Sequence, residues 1–198
     1  TWQDKAINVV FGEVRLMQGK IIGQMNALGF SAKEEATLSA LTLDVVKSSE
    51  IEGEMLNYDQ VRSSIARRLG INTAGLVPGN RHIEGVVEMM LDATQRHTLP
   101  LTEKRLFGWH AALFPTGHSG PYEIEVGRYR TGKMQIVSGA MGKEKLHYEA
   151  VKPGLVKKEM SKFLNWFNND NSLDPVLKAA IAQFWFIIIH PFDDGNGR

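Results

Sequence analysis

The segment PVLKAAIAQFWFIIIHPFDDGNGR, residues 175–198, constrains this chain more than any other part of it. Its first half is apolar nearly all the way round at helical spacing, through Phe184, Phe186 and Ile188. That pattern predicts a helix lying in the core. Asp174 caps it, and Pro175 sits in its first turn. The helix must stop at His190, because the residue before a proline is pushed out of helical geometry. A rigid helix therefore delivers one imidazole to its exit, and the chain then opens into a loop with two glycines. The longest apolar run, 181–189, is interrupted by Gln183 and is too short to span a bilayer.

The loop combines groups that suit one task. An imidazole with a reference pKa of ~6.5 can take a proton at neutral pH. Phe192 can plug back into the core and fix the loop. Gly195 and Gly197 permit backbone conformations closed to other residues, so that successive N–H groups around Asn196 can converge on one anion. A helix starting just after them would add positive potential there. Asp194 is a hard oxygen ligand suited to Mg²⁺ bridging phosphates, and Arg198 can grip phosphate oxygens as a bidentate fork. Taken singly, a histidine at a helix end is ordinarily structural and Asp-Gly-Asn-Gly is ordinarily a turn. Base, anion cradle, metal ligand and cation together describe a phosphate-handling site. The other glycine-rich and zinc patterns, GxxxxGK(S/T), GxGxxG and HExxH, do not occur.

Elsewhere helical periodicity dominates. Val10, Val14, Met17, Ile21, Met25 and Leu28 form one stripe that Gly29 ends. Ser31 and Glu34 read as a capping box opening a second helix through Leu38, Leu41 and Val45 to about Glu52 and Gly53. A third runs from about Asn57 to Gly70. After a linker over 71–81, periodicity returns through Ile83 to Leu91, and Thr102 caps a helix through Leu113. Two β-prone pieces, 126–130 and 133–137, flank Thr131-Gly132 and read as a hairpin. A helix over 155–167 precedes the apolar one. The net charge of +1 makes no case for nucleic acid or an anionic membrane. The lack of cysteine excludes disulfides and thiolate chemistry and fits a reducing compartment, so the expected location is cytoplasmic. His82, His97, His110, His118 and His147 are assigned no role, with His110 expected to pack or cap within its own helix.

HPFDDGNGR matches the signature of the Fic family, HPFx(D/E)GNGRxxR, at every fixed position in view. The resemblance covers most of the chain. The residues 175–189 are similar to the helix preceding the motif, with Gln183 where histidine is common. GRYRTGKMQIV resembles the flap, although a plain connecting hairpin would look the same. The resemblance implies a mainly α Fic fold, a helical bundle with a β-hairpin flap. It divides the chain into an N-terminal helical region, 1–70, and a Fic core, 71–198, cut within its signature, so that a second arginine is expected beyond Arg198. It implies a protein adenylyltransferase that moves AMP from ATP, with Mg²⁺, onto a hydroxyl of a target protein. His190 would be the base and Asp194 the metal ligand. Gly195, Asn196 and Gly197 would form the anion hole, and Arg198 would hold the β- and γ-phosphates. Met134, Gln135, Ile136 and Val137 would line the nucleotide and align a docking target segment by strand pairing. Self-modification and a homodimer stay open.

Ser48-Ser49-Glu50-Ile51-Glu52-Gly53 fits (S/T)xxxE(G/N), the family's inhibitory pattern, in the place where one class carries an inhibitory helix upstream of the core. The plainer reading is a solvated glutamate at a helix end stopped by Gly53. On the resemblance, Glu52 would pair with the second arginine and fill the γ-phosphate's space, and Ser48 would support the helix. The alternatives are removal of AMP with Glu52 positioning water, transfer of UMP, phosphate or phosphocholine, and a non-catalytic nucleotide-sensing module. A plain helical interaction domain would leave the loop unexplained.

Overall fold

The computed structural model describes residues 4–72, 75–138 and 145–198, with the backbone alone at 4–6, 136 and 137. Seven helices and four short strands lie among them. They are α1 (Asp4–Ala27), α2 (Phe30–Ile51), α3 (Tyr58–Leu69), α4 (Arg81–Gln95), α5 (Glu103–Leu113), β1 (His118–Ser119), β2 (Tyr122–Glu123), β3 (Gln135–Ser138), β4 (Lys145–Glu149), α6 (Pro153–Asn169) and α7 (Pro175–Ile189). The mainly helical Fic-like architecture expected from the sequence is what forms.

Most helix starts follow from their caps. Asn57, Asn80 and Thr102 each accept a hydrogen bond from the backbone N–H three residues on, at 3.0, 2.9 and 3.2 Å. Asp174 accepts from Val176 N–H at 2.8 Å, with Pro175 in the first turn as read. The capping box at Ser31 does not form: α2 is capped two residues earlier by Gly29, which offers no side-chain oxygen, and Ser31 lies inside the first turn.

Two apolar cores meet at α5. One gathers Leu38, Val45, Val61, Ile65, Val87 and Leu113 from α2 to α5. The other joins Leu106 of α5 to Val156, Met160 and Phe163 of α6, Ile189 of α7 and Phe192 of the loop. Helix α7 is less enclosed than its composition predicts. It packs on α6, Ala182 and Ile189 are buried, and Phe184 is 67% exposed. An all-apolar helix buries only as many faces as it has neighbours, and α6 covers one. The stripe on α1 is likewise exposed at Val10, Val14, Met17 and Ile21, and α1 is tied to α7 by an Arg15–Asp174 ion pair.

The hairpin differs from its predicted strands. β3 pairs antiparallel with β4, Gln135 opposite Glu149 and Ser138 opposite Lys145, with a bulge after Ile136. Residues 126–130 form no strand. Their polar groups are engaged elsewhere: the Arg130 N–H donates to the Pro191 carbonyl at 2.9 Å and the Gly127 N–H to His110 Nδ1 at 3.1 Å. A second small pairing, β1 with β2, was not read from the sequence.

Candidate active site

His190 caps α7 in the left-handed region, φ 51° and ψ 64°, and no other non-glycine described has a positive φ. Such a backbone costs about 1–3 kcal/mol and persists only where its surroundings hold it. Arg130 does so. Its guanidinium, 2% exposed, donates from Nε to the His190 carbonyl at 2.6 Å and from Nη1 to Gly132 at 2.6 Å. Nη2 donates to the carbonyls of Val151 and Ile189 at 2.5 and 3.4 Å. Burial pushes the His190 ring below the ordinary histidine pKa, the backbone of Ile187 opposes this, and the charge of Arg130 adds to it. The ring is therefore neutral at pH 7 and able to accept a proton.

The loop after it is closed by its own side chains. Phe192 is buried and stacks on His110, centroids 4.2 Å apart and planes 11° from parallel. The Asn196 side chain accepts from Phe192 N–H at 3.0 Å and donates to its carbonyl at 2.9 Å. Asn196 thus ties its side chain to the backbone of Phe192 and fixes the loop that presents its own N–H. Gly195 has φ +76°, and a Cβ there would lie 2.7 Å from the Phe114 ring. Both facts demand glycine.

Asp194 is held at each of its oxygens. Oδ1 accepts from Gly195 N–H at 2.6 Å, and Oδ2 accepts from the Ser119 hydroxyl. Its carbonyl accepts from His110 Nε2 at 3.2 Å. Because the other His110 nitrogen accepts from Gly127, the ring must be the Nε2–H tautomer. Burial pushes His110 below its ordinary pKa, the Asp194 carbonyl opposing. A hard divalent cation fits the Asp194 carboxylate, whose oxygens each keep a free lone pair. No group of three His, Cys, Asp or Glu converges among the described residues, so phosphate and water would complete any coordination shell.

The end of α2 meets this loop. Glu52 follows the last helical residue, and Gly53 turns left-handed at φ +81°. The Glu52 carboxylate lies against Gly197: a Cβ built there would fall 2.6 Å from Cδ and 2.7 Å from Oε2. Ser48 is exposed and makes no side-chain hydrogen bond to a described residue. The buried serine is Ser49, whose carbonyl accepts the N–H groups of Glu52 and Glu54 at 3.1 and 2.9 Å. Arg198 pairs with Glu54, and the other Glu54 oxygen lies 2.5 Å from His82 Nε2.

The flap strands root on the same helix end. The Tyr148 hydroxyl donates to the Ile188 carbonyl at 2.5 Å, and Ala150 N–H donates to Met134 at 3.0 Å. Met134 is half-buried and Gln135 exposed, while the side chains of Ile136 and Val137 lie outside the described residues. The structure thus brings His190, Asp194, Gly195, Asn196, Gly197, Arg198 and Glu52 together and leaves Ser48 apart. Sequence reasoning missed Arg130, His110, Ser119, Glu54 and His82. Single charged or polar residues in glycine-rich loops and at helix ends read as solvated, and only the fold turns these inward.

Residues 1–71 match a domain of unknown function, DUF4172, and residues 100–198 match the Fic/DOC family. The chain is 30% identical over 180 residues to the protein adenylyltransferase Fic of Drosophila grimshawi, covering 89% of this chain and 34% of that protein. A Fic family protein from Desulfovibrio desulfuricans G20 superposes with a TM-score of 0.61 at 26% identity, over 100% of this chain and 55% of that one. Fic-1 of Caenorhabditis elegans superposes at 0.64 over 98% and 55% of the two chains, and at 19% identity this is a likeness of fold. The chain spans about a third of the length of the curated relatives it matches. No described helix is long and apolar enough to cross a membrane. On the signature loop and the family match over half its length, the chain belongs to the Fic/DOC family.

Proposed function

We propose that this protein transfers AMP from ATP to a hydroxyl of a protein segment, and that Glu52 restrains the reaction. The observation that carries this reading is the Glu52 carboxylate against Gly197 in the loop that begins with His190. An anionic side chain there occupies the place where an anionic substrate would be cradled. His190, neutral at pH 7, takes the proton of the attacking hydroxyl. The hydroxyl oxygen bonds to the α-phosphorus, the bond from that phosphorus to the bridging oxygen breaks, and pyrophosphate leaves. The backbone at 195–197 and Arg198 would meet the phosphate charge, by contributions typically worth ~10²–10³ in rate for each donor. Asp194 would hold Mg²⁺, which supplies charge neutralisation on the phosphates when bound. The β3–β4 ribbon has no further strand on either edge among the described residues, which supports docking of an extended target segment by strand pairing. The target, which self-modification would make this protein itself, and a homodimer are part of the same proposal.

The test is labelling of the full-length protein with α- or γ-labelled ATP in wild type, Glu52→Gly and Glu52→Gly/His190→Ala. Label from the α position alone should rise in Glu52→Gly and return to background in the double variant. Label from the γ position would make the reaction phosphotransfer. Equal labelling of wild type and Glu52→Gly, both binding ATP, would remove the brake. The solvent exposure of Glu52 favours a second activity, removal of AMP by a water that this carboxylate orients. Release of AMP from modified protein by wild type but not Glu52→Gly would reveal it.

A further inference from the structure

Arg198, the cation of the loop, is already occupied. Its Nη1 pairs with Glu54 Oε2, its guanidinium carbon lies 5.5 Å from the centre of the Phe114 ring, and its side chain is 15% exposed. Glu54 is itself placed by the turn that ends α2, where its N–H donates to the carbonyl of the buried Ser49. Its Oε1 lies 2.5 Å from His82 Nε2, a nitrogen without a hydrogen-bond partner. His82 Nδ1 lies 3.1 Å from the Leu113 carbonyl at the end of α5 and donates to it, so the neutral ring has no proton left to give Glu54. These groups line one cavity of about 260 Å³ together with Phe114, His118 and Ser119.

We propose that Glu54 is a second inhibitory carboxylate: it neutralises Arg198 and so sets how strongly the site takes the distal phosphates of a nucleoside triphosphate. The proposal rests on the reading of Arg198 as a phosphate-binding residue. A guanidinium whose charge is already paired to a carboxylate attracts an incoming phosphate less strongly, whatever donors it still has free. That phosphate must displace Glu54 and, until it does, is repelled by it. The two carboxylates act on different parts of the loop. Gly53 turns left-handed between them, and the chain sends Glu52 to the backbone at Gly197 and Glu54 to the charge at Arg198. One fills space and the other takes the cation, so their removal should add.

The experiment measures binding of AMP and of a non-hydrolysable ATP analogue, each with Mg²⁺, by calorimetry on the full-length protein. The variants are Glu54→Gln, Glu52→Gly and the Glu52→Gly/Glu54→Gln pair. Glu54→Gln should tighten the triphosphate on the order of three- to tenfold and leave AMP, which has no distal phosphates, unchanged. The double variant should bind the triphosphate more tightly than Glu52→Gly alone. Weaker triphosphate binding in Glu54→Gln, or equal shifts for AMP and triphosphate, would overturn the proposal. Glu54→Asp serves the same comparison if Glu54→Gln loses its cooperative thermal transition, since it shortens the reach to Arg198 and keeps the charge. Binding and transfer fail separately. If Glu52→Gly gives no labelling while Glu54→Gln tightens the triphosphate alone, the transfer reading falls and the role of Glu54 stands.

Discussion

His190 has a strained backbone and a neutral ring, and its surroundings account for both. The left-handed backbone turns the chain sharply into Pro191, and the half-buried ring is kept neutral by loss of water. Its folded pKa lies below the unfolded value of ~6.5, so protonation favours the unfolded chain. The stability linked to it is present above that value and is lost as pH falls from there through the folded pKa. Transfer by the Glu52→Gly protein should accordingly hold down to pH values below ~6.5 before its acidic limb sets in; a pH–rate profile breaking above that value would contradict it. Gly195 offers a stability test in the same loop. Gly195→Ala forces an L-residue to φ +76° and drives a Cβ into Phe114, so it should cost about 2–3 kcal/mol in urea unfolding.

At the scale of elements, the flap, the signature loop and the end of α7 are one unit because Arg130 and Tyr148 bind them together. Arg130 donates to carbonyls at 132, 151, 189 and 190. Arg130→Met keeps the bulk and leaves those buried acceptors unpaired, which should cost at least ~3 kcal/mol in the same unfolding experiment. Tyr148→Phe removes one tether between β4 and α7, and a loss of about 1 kcal/mol is expected. Hydrogen exchange should show that loss in β4 and the last turn of α7, with α2 to α4 unchanged. A uniform change across all helices would mean that the flap is not anchored there.

For the whole molecule, α5 joins the two cores, because it contributes Leu113 to one and Leu106 to the other. The first core carries Glu52 and the second carries His190, so how these two side chains face each other depends on both cores packing on this helix. Phe163 lies at the centre of the second core, against Trp166, Phe167, Trp185 and Phe186. Phe163→Ala should cost about 3–5 kcal/mol by thermal or chemical unfolding and abolish labelling. A change under 1 kcal/mol would show that α6 and α7 do not form the core described.

The sequence by itself determined what is decided within a few residues. Caps at Asn57, Asn80, Thr102 and Asp174, the halt of α7 before Pro191, and the nine-residue loop with its base, carboxylate, glycines and cation all rest on contacts or steric limits spanning one turn. Short-range rules also misled where neighbours were free to compete: the Ser31 box lost to a helix start at Gly29, and 126–130 gave up strand pairing for hydrogen bonds to His110 and Pro191. Only the tertiary structure decided which distant polar groups meet. Arg198 and Glu54 pair across 144 positions, His110 and Asp194 across 84, and the Glu52 carboxylate reaches Gly197 only because α2 and α5 share a core. A glutamate at a helix end has the same local sequence signature whether it faces only solvent or lies against Gly197. Burial and partner are properties of packing, so the choice between the two belongs to the fold.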